Sequence, residues 1–242
     1  MLIIPVIDLL DGRAVHARGG RRHLYRPLST PLCRDPDPLA VAAAYLSLHP
    51  FSVLYLADLN AIQDRGDNTA TIAALRRRFR NCEFWVDAGT ASMDLAGARL
   101  RPVIGTETGL GVAELAQLRA GRHRPILSLD FGAEGYRGDP AILDRPDRWP
   151  ADVIVMTLSK VGSRGGPDVD RIGSLKARAP RRRFHAGGGL RDERDLELLA
   201  AAGAAGVLTA TALHEGAIDG AALARLGTRE KKPRPKPGRV VG

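Results

Sequence analysis

Two aspartates stand directly after apolar runs that have the composition of buried β-strands. Asp8 follows LIIPVI and Asp130 follows PILSL, and the two positions are 122 residues apart, half the length of the 242-residue chain. Two carboxylates in one site can divide the removal and the donation of a proton if their surroundings separate their pKa values. We therefore predict that Asp8 and Asp130 are catalytic; the alternative is that each caps a loop or pairs with a lysine or arginine.

A run of three glycines points to a second kind of chemistry. Gly187, Gly188 and Gly189 follow a short apolar run and precede a helix signal, so backbone amides there can approach an anion closely. The segment TATALHEG, which contains Ala210 and Thr211, follows the next apolar run. We predict that these two loops bind a phosphate, whereas a plain tight turn is the alternative for the glycine run.

The elements that must position these residues alternate along the chain. Short apolar, β-branched runs are separated by segments of helical period, a pattern typical of a parallel sheet covered by helices. Asp37 before Pro38, Asp168 and Asp192 indicate helix starts. Eight strands predict an α/β fold, a closed (β/α)8 TIM barrel. The predicted strands are residues 2–7, 52–57, 83–86, 102–104, 125–129, 153–156, 183–185 and 207–209, and the predicted helices are residues 39–49, 69–79, 169–179, 193–203 and 217–226.

The spacing of Asp8 and Asp130 also predicts a two-fold half-barrel repeat. VDAGTAS, residues 86–92, aligns with AGGGLRD, residues 186–192, and VIGTE of the fourth strand aligns with LTATA of the eighth. Catalytic groups of such barrels lie at the carboxyl ends of the strands. Because strands 1 and 5 are on opposite sides of the barrel axis, we expect the two aspartates to face each other across one mouth.

In the first half of the chain, the loop equivalent to the glycine run begins with Asp87 and ends with Gly89. A carboxylate there would repel a phosphate, so we predict one good phosphate site rather than two. The alternative is that Gly105 and Thr106, with the amides near Gly89, hold a second phosphate while Asp87 turns away. Asp58, after the second strand, is a candidate for binding a substrate hydroxyl or amine, or for ordering its own loop.

Composition limits the remaining possibilities. With 44% hydrophobic residues the chain can bury a sizeable core, and we place one barrel domain at residues 1–226. Cys33 and Cys82 are far apart and lack CxxC or CxxH spacing, and the histidines show no metal spacing, so we predict no disulfide, metal or cofactor. There is no export signal and no apolar run of roughly 18 residues, which favours a cytoplasmic protein without a membrane partner.

The net charge of +9 is concentrated in the last residues. Residues 227–242 carry six Lys or Arg against one Glu, and three prolines there oppose a helix. We predict a disordered basic tail. Such a tail can bind RNA or acidic membranes, but it has no interleaved aromatic residues, so we favour a solubilising role over nucleic-acid binding.

The segments IPVIDLLDGRAV, GGGLRDERDLELL and TALHEG, together with the half-barrel repeat, resemble the HisA/HisF family of histidine biosynthesis over residues 1–226. The likeness is greatest to its isomerases, which carry out an Amadori aldose-to-ketose rearrangement on a substrate with two phosphates. The resemblance implies that Asp8 and Asp130 are the acid/base positions. We assign Asp8 as the base and Asp130 as the acid, in cofactor-free chemistry.

Departures from the isomerase pattern bear on the substrate. After strand 6 the family places a loop aspartate as an acid for ring opening, and this chain has Val161 there. His16 stands where the isomerases usually have arginine. VHARGGRRHLYRP and LYLADLNAIQDRGDN instead resemble a HisA-like side branch of methanogens and methylotrophs. The long loop after strand 1, which contains Cys33, is a candidate lid.

Three functions are therefore open. The first is an isomerase acting on a small phosphorylated metabolite. The second is a HisA-like enzyme of one-carbon cofactor biosynthesis, of the methanopterin or methanofuran type, acting on a monophosphate. The third is a catalytically silent barrel that binds a phosphometabolite and serves as a partner subunit.

Overall fold

The computed structural model describes residues 1–94, 97–120 and 124–230 and shows eight parallel strands that close into a barrel. Each strand pairs with the next along the chain, and the eighth pairs with the first, where Ile4 lies opposite Leu208. The predicted (β/α)8 TIM barrel is confirmed. The strands are β1 (Leu2–Leu10), β2 (Val53–Asp58), β3 (Glu83–Asp87), β4 (Leu100–Gly105), β5 (Ile126–Gly132), β6 (Asp152–Thr157), β7 (Arg183–Gly187) and β8 (Ala204–Thr209).

The helices begin where capping side chains were predicted. Asp37 accepts a hydrogen bond from the Leu39 amide ahead of the first-turn proline, and Asp192 accepts bonds from the amides of Arg194 and Asp195. The longer helices are Pro38–Leu48, Thr69–Arg78, Val112–Ala120, Val169–Arg178, Glu193–Ala201 and Gly220–Glu230, and shorter ones are Leu59–Ile62, Pro140–Leu143 and Thr211–His214.

The helices differ from the prediction in two places. Helix Val112–Ala120 was not predicted. The last helix begins at Gly220 rather than at residue 217, and it continues to Glu230, four residues beyond the predicted domain boundary at 226. Residues 231–242 of the predicted tail lie outside the described residues, so the disordered tail stays a prediction.

The core has two layers because the strand side chains alternate between the barrel interior and the helices. Side chains such as Ile4, Tyr55 and Trp85 pack inside the barrel, whereas Leu54 and Phe84 belong to the layer beneath the helices. All six residues of β2 are buried, as expected for a strand covered on both faces. The barrel wall therefore fixes where each strand end places its side chain.

The two halves share a structural feature that supports the predicted repeat. A short strand, Arg13–His16, folds back on β1, and another, Gly135–Arg137, folds back on β5. In the first hairpin Asp8 lies opposite the residue seven positions later, and in the second Asp130 does the same. The same local fold therefore follows both candidate catalytic aspartates.

A buried polar network closes the amino end of the barrel. Asp152 accepts hydrogen bonds from Arg101 at 2.7 Å and Arg183 at 2.6 Å, and it lies 3.1 Å from Nε2 of His185. Burial opposes ionisation of Asp152, but the hydrogen bonds from His185, Arg183 and Arg101 outweigh it and hold its pKa far below the usual range. His185 therefore serves the stability of the barrel and is remote from the strand ends that carry chemistry.

Candidate active site

One cavity lies at the carboxyl ends of the strands and contains most of the predicted site residues. The candidate acid/base pair and both candidate phosphate loops line the same space. The residues it brings together are Asp8, Asp130, Gly187, Gly188, Gly189, Ala210 and Thr211.

Asp8 stands where β1 leaves the barrel wall. It pairs in parallel register with Ala57 on one side and in antiparallel register with Val15 on the other. Among the described residues no hydrogen bond reaches its carboxylate. Burial raises the pKa of Asp8 to about 7, the positive charge of Arg22 opposes this rise, and the negative charge of Asp87 adds to it. Asp8 can therefore take up or release a proton near neutral pH.

Asp130 is more fully buried, at 4% exposure, and is held by three donors. The Ser128 hydroxyl donates to Oδ1 at 2.6 Å, the Glu107 amide donates to Oδ2 at 3.1 Å, and the Thr106 hydroxyl lies 3.4 Å from Oδ2. Burial outweighs these donors and raises the pKa of Asp130 to about 7, and the negative charges of Asp87 and Glu107 add to the rise. Both candidate catalytic carboxyls thus titrate close to neutrality.

A third carboxylate, Asp87, lines the cavity between them. Its Oδ2 accepts a hydrogen bond of 3.2 Å from the Tyr55 hydroxyl, and its Oδ1 accepts one of 3.0 Å from the Gly89 amide. Burial raises the pKa of Asp87 to about 6. A β-carbon built on Gly105 would lie 2.9 Å from Oδ2 of Asp130 and 3.9 Å from Oδ2 of Asp87, so the missing side chain leaves room for both acids. Sequence reasoning noted the charge of Asp87 but gave it no place in the site.

An ion pair crosses the mouth of the barrel. Arg22, in the loop after β1, lies 2.6 Å from a carboxylate oxygen of Glu107, which follows β4, and both side chains line the cavity. The same loop is fixed on its other side, where the Gly19 amide donates to the Val161 carbonyl at 2.7 Å. The predicted lid is thus a segment that spans the mouth. Arg22 and Glu107 were missed because nothing in the sequence connects two positions 85 residues apart.

The glycine run has a conformation that other residues would not tolerate. Gly188 has φ +98°, and a β-carbon there would lie 2.6 Å from the Thr157 carbonyl oxygen. Gly189 has φ +83°, and its β-carbon would lie 2.3 Å from the Gly166 carbonyl oxygen. Within residues 1–94, 97–120 and 124–230, the amides of Gly188, Gly189 and Thr211 have no hydrogen-bond acceptor. Three free amides at the cavity wall suit an oxyanion such as phosphate.

The alternative second phosphate site is not supported. Gly105 and Thr106 do not line the cavity, and Thr106 is 1% exposed. The amides near Gly89 are already used by acceptors of the protein, since the Gly89 amide donates to Asp87 and the Ala88 amide donates to Ser92 at 2.6 Å. A second phosphate would have to displace these acceptors and approach three carboxylates. Thr106 is hydrogen-bonded to Asp130, and the binding role of Gly105 and Thr106 stays a prediction.

Asp58 does not reach the cavity, and its loop-ordering alternative fits the structure. At 1% exposure, its carboxylate accepts hydrogen bonds from the Ala61 amide at 3.1 Å, the Asn68 amide at 2.7 Å and the Asn68 side chain at 2.6 Å. Asn68 in turn contacts Asn60, which bonds to Asp11 of the β1 hairpin. These three donors fit the loop-ordering alternative, and the substrate contact of Asp58 stays a prediction.

Within the described part of the chain, no group of three or more His, Cys, Asp or Glu side chains has an arrangement that could hold a metal ion. None of the described helices has the length and apolarity needed to cross a membrane.

Comparison with known proteins finds relatives that match this chain over nearly their whole length. A sequence model described as histidine biosynthesis protein matches residues 2–132 and 146–219. An uncharacterized protein of Methanocaldococcus jannaschii is 34% identical over 231 residues, which cover 90% of this chain and 96% of the relative. Two proteins named 1-(5-phosphoribosyl)-5-((5-phosphoribosylamino)methylideneamino) imidazole-4-carboxamide isomerase are each 28% identical: that of Myxococcus xanthus over 93% of this chain and 98% of its own, and that of Pseudomonas syringae over 96% and 100%.

Proposed function

This chain belongs to the histidine biosynthesis protein family, the HisA/HisF family, and from that premise we propose that it is a cofactor-free isomerase acting on a small metabolite with one phosphate. One observation carries the proposal: Asp8 and Asp130, on strands across the barrel axis, share a cavity with the free amides of Gly188 and Gly189. An anion fixed at the amides would hold the rest of a small molecule between the two carboxyls.

The electrostatic surroundings of the two aspartates differ. Arg22 favours the ionised form of Asp8, so Asp8 is suited to remove a proton. Burial and the negative charges of Asp87 and Glu107 favour the protonated form of Asp130, whereas the Ser128 hydroxyl and the Glu107 amide favour its ionised form, and we assign Asp130 as the group that donates a proton. In an aldose-to-ketose rearrangement, the base removes the proton from C2 and the acid protonates the carbonyl oxygen on C1, which gives an enediol. The base then returns its proton to C1, and the deprotonated acid takes the proton of the C2 hydroxyl, which becomes the ketone. The surroundings do not separate the two pKa values, since both lie near 7, so near neutral pH either carboxyl can be charged while the other is neutral.

The choice of a monophosphate rests on the first half of the barrel. The amides around Gly89 are occupied by the protein, and Asp87 faces the cavity where a second phosphate would approach. This argument equally favours the second candidate, an enzyme of one-carbon cofactor biosynthesis that acts on a monophosphate.

Deuterium exchange tests proton removal without knowledge of the final product. The protein is incubated in deuterated water with a panel of aldose and ketose monophosphates and with the bisphosphate used by the related isomerases. We expect exchange of the proton next to the carbonyl, followed by NMR, in at least one monophosphate. Asp8→Asn and Asp130→Asn should each lower the exchange rate by about a hundredfold or more, whereas the exposed control Asp170→Asn should retain it.

Two outcomes would contradict the proposal. If both active-site variants exchange at the full rate, Asp8 and Asp130 are not the acid/base pair. If the panel binds but no compound exchanges, the silent-barrel function, in which the protein binds a phosphometabolite as a partner subunit, replaces the enzymatic one.

A further inference from the structure

His16 lies beside the loop that is expected to hold the phosphate, a position set by the sheet. Along β1, residues Leu2–Pro5 pair with β8 and Val6–Leu9 pair with β2. Beyond Pro5, β8 no longer pairs with its edge of β1. The returning strand Arg13–His16 pairs with that edge instead. Because Pro5 lies opposite Thr209, this strand meets the chain where it continues into Ala210 and Thr211.

The imidazole of His16 faces the cavity and has no committed partner. It lines the same space as Gly188, Gly189 and Thr211, and it is only partly buried. Over the described parts of the chain, no hydrogen bond or ion pair involves its side chain.

Other cations near the cavity are already engaged. Arg22 pairs with Glu107 at the far side of the mouth. Lys160 donates to the Pro167 carbonyl at 3.3 Å, and Arg191 forms an ion pair with Asp195 at 2.7 Å. His214 also lines the cavity, but it is 3% exposed, and both of its ring nitrogens contact hydroxyls, of Thr30 at 3.0 Å and Tyr45 at 2.7 Å. Among the described residues lining the cavity, His16 is thus the titratable cation left for a dianion at the glycine amides.

We propose that His16 is the charged binding partner of the substrate phosphate, and that it takes up a proton when the phosphate binds. This inference rests on the proposed function, since it requires an anion at Gly188 and Gly189, and it names the residue that balances the charge of that anion. Backbone amides supply partial charges only, so a neighbouring imidazolium adds an attraction that neutral imidazole lacks.

The groups around His16 keep it neutral until the anion arrives. Burial and the positive charge of Arg18 lower the pKa of His16, while the negative charge of Glu215 opposes them. Arg26 lies opposite His16 on the adjoining short strand, and His214, buried and with its pKa lowered to about 4, adds no positive charge near neutral pH. A dianion at the amides raises the pKa of His16. At a pH between the pKa of the free protein and that of the complex, His16 therefore takes up a proton when the anion binds.

Inorganic sulfate is the appropriate first probe because its charge does not change across the range in which imidazole titrates. Its affinity for the full-length protein is measured by calorimetry at about pH 5.5 and about pH 8.5, on either side of the ordinary histidine pKa. If sulfate raises the pKa of His16 by one unit, the affinity falls about tenfold between these limits. We expect the fall in the wild type to exceed that in a variant without the imidazole by about this factor, because Asp8, Asp87 and Asp130 also ionise in this range and weaken sulfate binding in both proteins.

Two variants and a matched control isolate the role of His16. His16→Gln should bind sulfate weakly and show only the smaller fall that ionisation of the cavity carboxyls causes, and His16→Arg should bind it more tightly than His16→Gln at both pH values, with the same smaller fall. His49→Gln, which alters a histidine outside the cavity, should behave as the wild type. NMR titration of the His16 ring should show its pKa rising on addition of sulfate.

The outcomes separate this inference from the proposed function. If sulfate binds and its affinity falls equally in His16→Gln, another group carries the proton and the inference is wrong, while the anion site stands. If neither sulfate nor inorganic phosphate binds to the wild type at any pH, the anion site is absent, and both the inference and the proposed function are overturned.

Discussion

Asp87 ends β3 at the position where Gly187 ends β7, so the two related halves of the barrel present a carboxylate at one strand end and no side chain at the other. The carboxylate is held by Tyr55 and the Gly89 amide, which fixes it against the cavity. The amides that follow the glycine are free, whereas those that follow the aspartate are occupied.

Asp87 should determine whether a second phosphate is tolerated. In the wild type, a pentane bisphosphate should bind no more tightly than pentyl monophosphate. Asp87→Asn removes one charge and should improve binding of the bisphosphate by about fivefold, with little change for the monophosphate. Calorimetry with both compounds measures the ratio, and Asp170→Asn is the control. Tighter binding of the bisphosphate to the wild type would show that the first half still holds a second phosphate.

Breaking the Arg22–Glu107 ion pair from its two sides should move different pKa values in opposite directions. Arg22→Gln removes the positive charge near Asp8 and should raise the pKa of Asp8. Glu107→Gln removes a negative charge near Asp130 and should lower the pKa of Asp130. Carboxyl carbon NMR titration of both variants provides the test. A common direction of change in the two variants would mean that loop displacement, and not charge, dominates.

Asp8→Asn should stabilise the protein at high pH and have little effect at low pH. Between the ordinary value of 3.8 and about 7, the unfolded carboxyl loses its proton while the folded one keeps it, so wild-type stability falls as pH rises through this window. The amide does not titrate. At pH 8 we expect a gain of about 1–2 kcal/mol in the free energy of unfolding, allowing for solvent screening.

Urea unfolding of the wild type and Asp8→Asn at pH 4 and pH 8 measures this difference. Asp170→Asn, at an exposed site, should show no comparable dependence on pH. A variant that is equally stabilised at both pH values would indicate that ionisation of Asp8 is not the cause.

Gly189→Ala should be far more damaging than Gly66→Ala. Both glycines have positive φ, +83° and +91°, but a β-carbon at 189 would meet the Gly166 carbonyl oxygen at 2.3 Å, and one at 66 would meet nothing within 4 Å. The difference between the two variants should be about 2 kcal/mol in the free energy of unfolding, and only Gly189→Ala should lose phosphate binding. Equal losses would assign the effect to backbone strain alone.

Sequence patterns predicted the barrel and the placement of Asp8 and Asp130 at strand ends, because both aspartates follow apolar runs that are typical of buried strands. The glycine run was equally visible. The patterns could not reveal that Asn68 supplies two of the donors to Asp58 across ten residues, since an aspartate after a strand looks the same whether it caps a loop or faces a cavity.

Contacts between distant loops were also beyond the sequence. Arg22 and Glu107 meet only because the loops after β1 and β4 cross the same mouth. Helix Val112–Ala120 was missed because its segment shows no strong apolar period and no capping signal of the kind that marked Asp37 or Asp192.

The unlike ends of β3 and β7 also give the pocket a polarity. A barrel with two equal anion sites admits a symmetric guest either way round, so either end of the guest can meet either acid. Here one end offers amides and the other a carboxylate, and a guest with one anionic terminus has a single orientation. Under the proposed function, Asp8 would then always meet the same carbon atom, and the reaction would be regiospecific.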